Sequence, residues 1–284
     1  MYYRPYGTTG IDLSIVAMGG IVVMGVEQSE ADRRTREAFD RGVNYFDVAP
    51  SYGDAEERLG PALVGLRDDV FLACKTMERT REGAEREMQS SLRNLQTNRF
   101  DLYQLHAVSS IEEAQTCLAS GGAMETLLKA RGSGLVRYLG FSAHSAEAAV
   151  FLMDEFPFDS ILFPFNYTTY HHGGFGPQVL AKAQEKGVAR LALKGMARRP
   201  WPEGADRSIA QNTWYEPHTD PREAELALRW TLSLPITAAV PPGDPNLFRM
   251  ALDFADRFTP LTEQEAADIV TLAQQNEPIF RAAA

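Results

Sequence analysis

Eight short apolar runs, each followed by a helical pattern, constrain this chain more than any other feature. "IVAMG" leads to "SEADRRTREAFDRG", with Ser29 as the helix cap, Ala38 and Phe39 on one face and Gly42 as the stop. "VNYFDV" leads to "DAEERLGPALVGL", and "VFLACK" to "TREGAEREMQSSLRNL". "FDLYQLH" is followed by two helical stretches, "SSIEEAQTCL" and "GAMETLLKARGSG". "VRYLGFS" precedes "SAEAAVFLMDEF", and "SILFPFN" precedes "GPQVLAKAQEKG". "VARLALK" reaches "DPREAELALRWTLS" after a long loop, and "PITAAVPPG" reaches "PNLFRMALDFADRF". Strands alternating with helices build βαβ units on a parallel sheet, and strands covered on both faces read as apolar runs. Eight such units close a (β/α)8 TIM barrel. An open doubly wound sheet is the competing α/β fold. It wants a glycine-rich turn opening the first helix, whereas "MGGIVVMG" is not GxGxxG and opens no clear helix. Ahead of the repeats, Tyr2–Tyr6, the turn "GTTG" and Ile11–Ser14 read as a β-hairpin. A barrel of about 250 residues takes up residues 1–284 as one domain.

Charge and cysteine content narrow the function classes. The net charge of −10 repels phosphate backbones and anionic lipid, so neither nucleic acid nor a membrane is expected as partner. No apolar run approaches the roughly 20 residues of a membrane span, and "MYYRPYGTTG" lacks a signal-peptide apolar core. Cys74 and Cys117 form no disulfide framework and no CxxC pair, which makes a reducing cytoplasm the expected location. Cys74, inside an apolar run, reads as a small core residue. Adjacent His171 and His172 point apart in most backbones, and no carboxylate pattern completes a metal site around them.

Polar residues fall where a barrel places its chemistry, at the C-terminal ends of strands. The second run ends in Asp47, the third in Lys75 and the fourth in His106, with Tyr52 in the loop after the second. Strand parity puts Val43, Tyr45 and Asp47 on one face, with Phe71, Ala73 and Lys75, and Leu102, Gln104 and His106, likewise aligned. Each residue alone has a structural explanation: a loop cap, a packing tyrosine, a lysine paired with Asp47, a satisfied histidine. Four together on consecutive strands favour a site. A neighbouring ammonium stabilises phenolate and lowers a phenol's pKa, a carboxylate fixes the ammonium, and an imidazole orients a substrate oxygen. Such a set protonates an alkoxide as hydride reaches a carbonyl carbon. Side chains supply no hydride, so a nicotinamide cofactor is implied, with a small carbonyl compound as substrate. The competing enzyme class is a Schiff-base lyase using Lys75 or Lys194. Residues 197–219 form a long loop, a candidate lid. Its Trp201, Trp214 and Tyr215, with Tyr167 and Phe175, are candidates for an apolar wall.

"NYFDVAPSYGDAEERLGPAL", "ACKT", "DLYQLH" and "GLVRYLGFS" resemble the signature segments of the aldo-keto reductase superfamily, and the resemblance runs over nearly the whole chain. It implies a (β/α)8 barrel whose base is closed by an N-terminal hairpin. It also implies NADP(H)- or NAD(H)-dependent reduction of an aldehyde or ketone. The family's tetrad falls on Asp47, Tyr52, Lys75 and His106, with Tyr52 as general acid, Lys75 and Asp47 as its tuners and His106 orienting substrate. Gly19 and Gly20 resemble the glycine turn near the nicotinamide ribose. Ser142 matches the serine that contacts the carboxamide; Ala143 replaces the usual asparagine, with His144 next to it. Pro164 stands in place of a glutamine, with Asn166 two residues on as the retained polar group. Leu193 takes the position of a stacking aromatic, and Lys194 that of a serine, from where it can reach a diphosphate. Gly243 lies in "PPGDPNLFRMALD", which resembles the adenosine-phosphate segment, and Arg249 matches an arginine that stacks on adenine. Asp244 stands where NADP-specific members often carry serine or lysine, and Asp253 where they often carry asparagine. An acid there repels a 2′-phosphate, so the choice between NAD and NADP stays open. Some members of the superfamily are regulatory subunits that bind cofactor and barely turn over, a second alternative given Ala143, Pro164 and Leu193. Neither the substrate nor the oligomeric state is legible.

Overall fold

A computed structural model describes residues 1–282. The chain opens with an antiparallel hairpin, Tyr3–Pro5 against Asp12–Ser14, in which Tyr3 lies opposite Ser14. The reversal between them uses left-handed backbone at Gly7 and Gly10 (φ 57° and 78°), where a side chain would be strained. Eight parallel strands follow: β1 Met18–Gly19, β2 Tyr45–Asp47, β3 Phe71–Thr76, β4 Phe100–Val108, β5 Val136–Ala143, β6 Ser160–Phe163, β7 Ala189–Leu193 and β8 Ala238–Val240. They hydrogen-bond in chain order. The sheet returns on itself at a parallel bridge between Val16 and Ala239, where Ala17 N–H donates to Ala239 O and Ala239 N–H to Ile15 O, both at 2.9 Å. The expected (β/α)8 barrel is therefore the fold.

The surrounding helices are α1 Gln28–Asp40, α2 Ala55–Ala62, α3 Arg81–Asn94, α4 Ile111–Leu118, α5 Ala123–Gly132 and α6 Ala146–Glu155. After them come α7 Tyr167–His171, α8 Pro177–Glu185, α9 Pro221–Ser233, α10 Pro245–Asp256 and α11 Glu263–Ala273. One apolar layer lies between strands and helices, containing Phe46, Leu72, Cys74, Leu105 and Phe141. A second fills the barrel itself with Tyr45, Phe71, Ala73, Leu102, Leu162 and Leu191. The hairpin contributes Tyr6 and Leu13 to that inner layer, and the Tyr6 hydroxyl donates to Ser160 Oγ at 2.8 Å. The base of the barrel is thus plugged, and the strand C-termini remain to build a site. None of the helices in the described residues is long and apolar enough to cross a membrane.

Local departures from the sequence reading have physical causes. Ser29 does not cap α1; the helix begins at Gln28, and the extended Glu27 accepts the Glu30 and Ala31 N–H groups through its carbonyl. Gly42 does end the helix in left-handed backbone, φ 87°. Val43 packs in the outer layer, because β2 begins only at Tyr45. Residues 197–219 are not irregular throughout. Ala197–Arg199 pairs antiparallel with Glu216–Pro217, and Arg199 Nε reaches Glu216 at 2.6 Å, so the long excursion hangs from a two-stranded ribbon. Two elements, the short α7 and the C-terminal α11, lie outside the repeating pattern.

Helix α2, which carries the loop of Tyr52, packs closely on α3 through Gly60. A Cβ there would meet Asn94 O at 2.5 Å and Leu95 backbone carbon at 2.7 Å. Backbone cannot yield as a side chain can, so Gly60→Ala is expected to lose about 1–3 kcal/mol of stability, read by urea unfolding. An unchanged midpoint would mean that α2 shifts freely.

Candidate active site

The barrel brings Asp47, Lys75, His106 and Tyr52 to one cavity. Parallel pairing sets Asp47 beside Ala73 and Lys75 beside Gln104, so the three strand ends stand in a row. Strand β4 changes register between Leu105 and Val108, and Ala107 adopts φ 52°. That irregularity frees the Ala107 N–H from the ladder; Ser142 Oγ accepts it at 2.7 Å.

Lys75 is buried, and its Nζ forms an ion pair with Asp47 Oδ1. The same ammonium reaches the Tyr52 hydroxyl and the Val48 carbonyl, each at 3.4 Å. The other Asp47 oxygen accepts from the Tyr45 hydroxyl at 3.1 Å and from Gln104 Nε2 at 3.2 Å. Neither Tyr45 nor Gln104 was singled out as functional from sequence, although both lie on the strand faces that carry Asp47 and His106. His106 meets the edge of the Tyr52 ring at 5.7 Å between centroids, and its carbonyl accepts from Arg79 Nη2 at 2.8 Å.

Charge states follow from this packing. Burial alone would push the Lys75 ammonium down, but the Asp47 carboxylate and Tyr52 oxygen outweigh it and hold the pKa above the ordinary lysine value. For Tyr52, the expected net depression by the lysine does not occur. Burial pushes the phenol above its ordinary value, the Lys75 charge opposing and the Asp47 charge reinforcing. The Tyr52 hydroxyl therefore keeps its proton at neutral pH. Burial pushes His106 down to about 2, with Lys75, His144, Arg79 and Lys194 adding to the effect, so the imidazole is neutral. A Lys75 held as ammonium is a poor nucleophile, which disfavours Schiff-base chemistry at that residue.

Ser142, His144, Lys194 and Gly243 line the same cavity, along with Leu193, Trp214 and Tyr215. Gly19 and Gly20 sit at the end of β1 in close packing: added Cβ atoms would meet Val240 at 3.1 Å and Val48 at 2.6 Å. Asn166 is buried away from the cavity lining. Its amide donates to Ala197 O at 2.6 Å and Lys194 O at 3.2 Å, while its oxygen caps α7. Arg249 lies out on α10, paired with Glu37 at 3.0 Å, and Asp253 pairs with Arg41 at 2.9 Å. Asp244 caps α10 and, through its other oxygen, accepts Gln211 N–H at 2.9 Å. Of the aromatic candidates, Trp201 donates to Thr213 O, Phe175 stacks on Phe163, and Tyr167 bonds His218; none lines the cavity. His171 accepts from Trp230 Nε1 and His172 contacts Asn276 O, so the two imidazoles engage different partners. Ile21, Leu162 and Asn212 line the cavity without having been singled out. Their types, two aliphatics and a loop amide, gave no chemical signal.

The family model described as "Aldo/keto reductase family" matches residues 17–198. The oxidoreductase YqkF of Bacillus subtilis (strain 168), itself uncharacterized, is 27% identical over 97% of this chain and 98% of its own length. The methylglyoxal reductase YeaE of Escherichia coli (strain K12) is 34% identical over 46% of each chain. Among solved structures, the holo form of the aldo-keto reductase AKR11C1 from Bacillus halodurans superposes with a TM-score of 0.75 at 24% identity, over 96% of both chains.

Proposed function

This chain belongs to the aldo/keto reductase family, and from that membership we propose that it reduces an aldehyde or ketone to the alcohol with NADH or NADPH, using Tyr52 as general acid. One observation carries the reading: Lys75 Nζ, paired with Asp47, lies 3.4 Å from the Tyr52 hydroxyl in a cavity that also holds His106. The residues present fit a nicotinamide. Leu162 and Leu193 offer an apolar floor, and Ser142 accepts the Ala107 N–H while keeping its own hydroxyl hydrogen to donate. When bound, the nicotinamide supplies hydride to the carbonyl carbon. Neutral His106 and the Tyr52 hydroxyl orient the carbonyl oxygen. Tyr52 gives its proton to that oxygen as negative charge develops on it. Lys75 stabilises the phenolate left behind, and Asp47 keeps Lys75 charged and in place. A panel of carbonyl compounds, followed by loss of dihydronicotinamide fluorescence, tests the reading. Cofactor binding without turnover of any of them supports the regulatory alternative instead.

Charge on the segment that resembles the adenosine-phosphate site favours NADH. On that segment Arg249 is already engaged by Glu37 and Asp253 by Arg41, and the Asp244 carboxylate caps α10. A 2′-phosphate there meets like charge. NADH is expected to bind roughly tenfold more tightly than NADPH, or about 1.4 kcal/mol. Fluorescence titration checks this, and tighter NADPH binding would show that Arg249 leaves Glu37 for the phosphate.

The charge states also set the pH profile. His106 is neutral down to about pH 2 and burial holds the Tyr52 pKa above the ordinary phenol value, so neither changes form near neutrality. The reductive kcat is expected to be flat between about pH 5 and 9 and to fall on the alkaline side as Tyr52 loses its proton. A limb centred near a free histidine's pKa of about 6.5 would instead make an imidazolium the acid.

A further inference from the structure

Lys194 follows β7 and is buried, yet it pairs with no carboxylate among the described residues. Its Nζ lies 3.2 Å from His144 Nε2, 4.2 Å from the centroid of Trp214 and 5.3 Å from that of Phe280. Aromatic faces and a neutral imidazole are favourable neighbours for an ammonium, but they do not balance its charge. Burial pushes it well below the ordinary lysine range, and it pushes His144 down to about 3, with Lys194 adding to that effect. Elsewhere in the cavity Lys75 and Asp47 cancel, and His106 is neutral. Lys194 is therefore an amine in the cavity lining without a counter-charge among the described residues, and an arriving anion would supply one.

The backbone is committed to this placement. Lys194 adopts φ 64°, a left-handed conformation that costs a lysine about 1 kcal/mol. Its carbonyl is fixed by Ala197 N–H at 2.9 Å and Asn166 Nδ2 at 3.2 Å. Asn166 thus acts on the cavity by positioning Lys194. Direction distinguishes two sources of anion. The side chain reaches from β7 across β6 to His144 beyond β5, next to the strand of His106. It leans away from β8, where Gly243 and the α10 cap lie.

We propose that Lys194 is the receptor for a carboxylate carried by the carbonyl substrate, so that the substrates are small oxo acids. The proposal rests on the reductase reading for its carbonyl and on Lys194 for its acid. One ammonium matches a monoanion; a phosphate dianion calls for further donors, and no arginine among the described residues lines the cavity. His144 accepts one ammonium hydrogen and leaves the others for the ligand.

Two measurements on the full chain, saturated with cofactor, test it. The first compares kcat/KM for succinic semialdehyde with that for its methyl ester. The acid is expected to be preferred by roughly tenfold or more, and the preference to vanish in Lys194→Met and survive in part in Lys194→Arg. The second is calorimetric binding of succinate, which needs no turnover and is expected to be lost in Lys194→Met. Circular dichroism verifies that each variant is folded. Equal use of acid and ester by the unaltered protein overturns the proposal. So does a Lys194→Met protein that keeps its acid preference but binds cofactor tenfold more weakly, which would give the lysine to the diphosphate. Borohydride trapping of the aldehyde on Lys194 as a secondary amine also overturns it. Succinate binding that depends on Lys194, with no carbonyl reduced, upholds the receptor and removes the reductase reading.

Discussion

Tyr52→Phe is expected to lower the reductive kcat by about 10²–10⁴-fold while changing cofactor affinity by less than about threefold. The substitution removes one hydroxyl and keeps the ring. That ring packs against the outer apolar layer and meets His106 edge-on, so little else is disturbed. What is lost is the proton donor 3.4 Å from the Lys75 ammonium. His106 cannot replace it, because a neutral imidazole with a pKa near 2 carries no acidic proton at working pH. The burial that raises the Tyr52 pKa keeps the donor loaded but makes phenolate harder to form. Lys75 opposes that penalty by stabilising the phenolate. Stopped-flow oxidation of bound cofactor, with and without carbonyl, separates the two effects. A parallel loss of binding would mean that Tyr52 holds cofactor and not substrate.

Lys75→Met has a comparable effect on rate and a larger one on stability. It leaves Asp47, only 2% exposed, with a carboxylate that has lost its cation. Tyr45 and Gln104 still donate to one oxygen, but neither supplies charge. Breaking a buried pair from one side typically costs about 3–5 kcal/mol, so a fall of that size is expected in urea or thermal unfolding. Adding Asp47→Asn removes the stranded charge and is expected to restore most of the stability. It cannot restore activity, because Tyr52 then has no ammonium to stabilise its conjugate base. The cycle of two single variants and the double therefore separates holding the fold from tuning the acid. If the double variant stays as unstable as Lys75→Met, the ion pair is not what the core requires at this point.

The barrel was legible because its eight units repeat one physical demand: a strand covered on both faces and a helix covered on one. The clustering of the four candidate residues was legible because strand ends in a barrel have a known address, and Asp47, Lys75 and His106 occupy three in succession. What sequence could not give was the balance of energies within that cluster. The expectation that Lys75 lowers the Tyr52 pKa ignored burial, whose extent depends on the loops closing over the cavity. Asn166 is expected as a cofactor contact only through the family resemblance, as the polar group two residues after Pro164. Its neighbours, the Lys194 and Ala197 carbonyls, come together only through the ribbon at Ala197–Arg199. Trp201 and Trp214 share one loop and had equal claim to the cavity. The fold of residues 200–215 turns one indole to Thr213 and sets the other over Lys194. Periodicity has no hold on such a segment.

Transfer of deuterium from dihydronicotinamide labelled at its reactive carbon, followed by mass spectrometry through one turnover, is the most direct test of Tyr52 acting beside a hydride donor. In the unaltered protein the label should appear on the carbinol carbon of the product. In Tyr52→Phe loaded with the same cofactor, it should remain on the cofactor over the same interval. Equal label in both products, or none in either, contradicts the assignment.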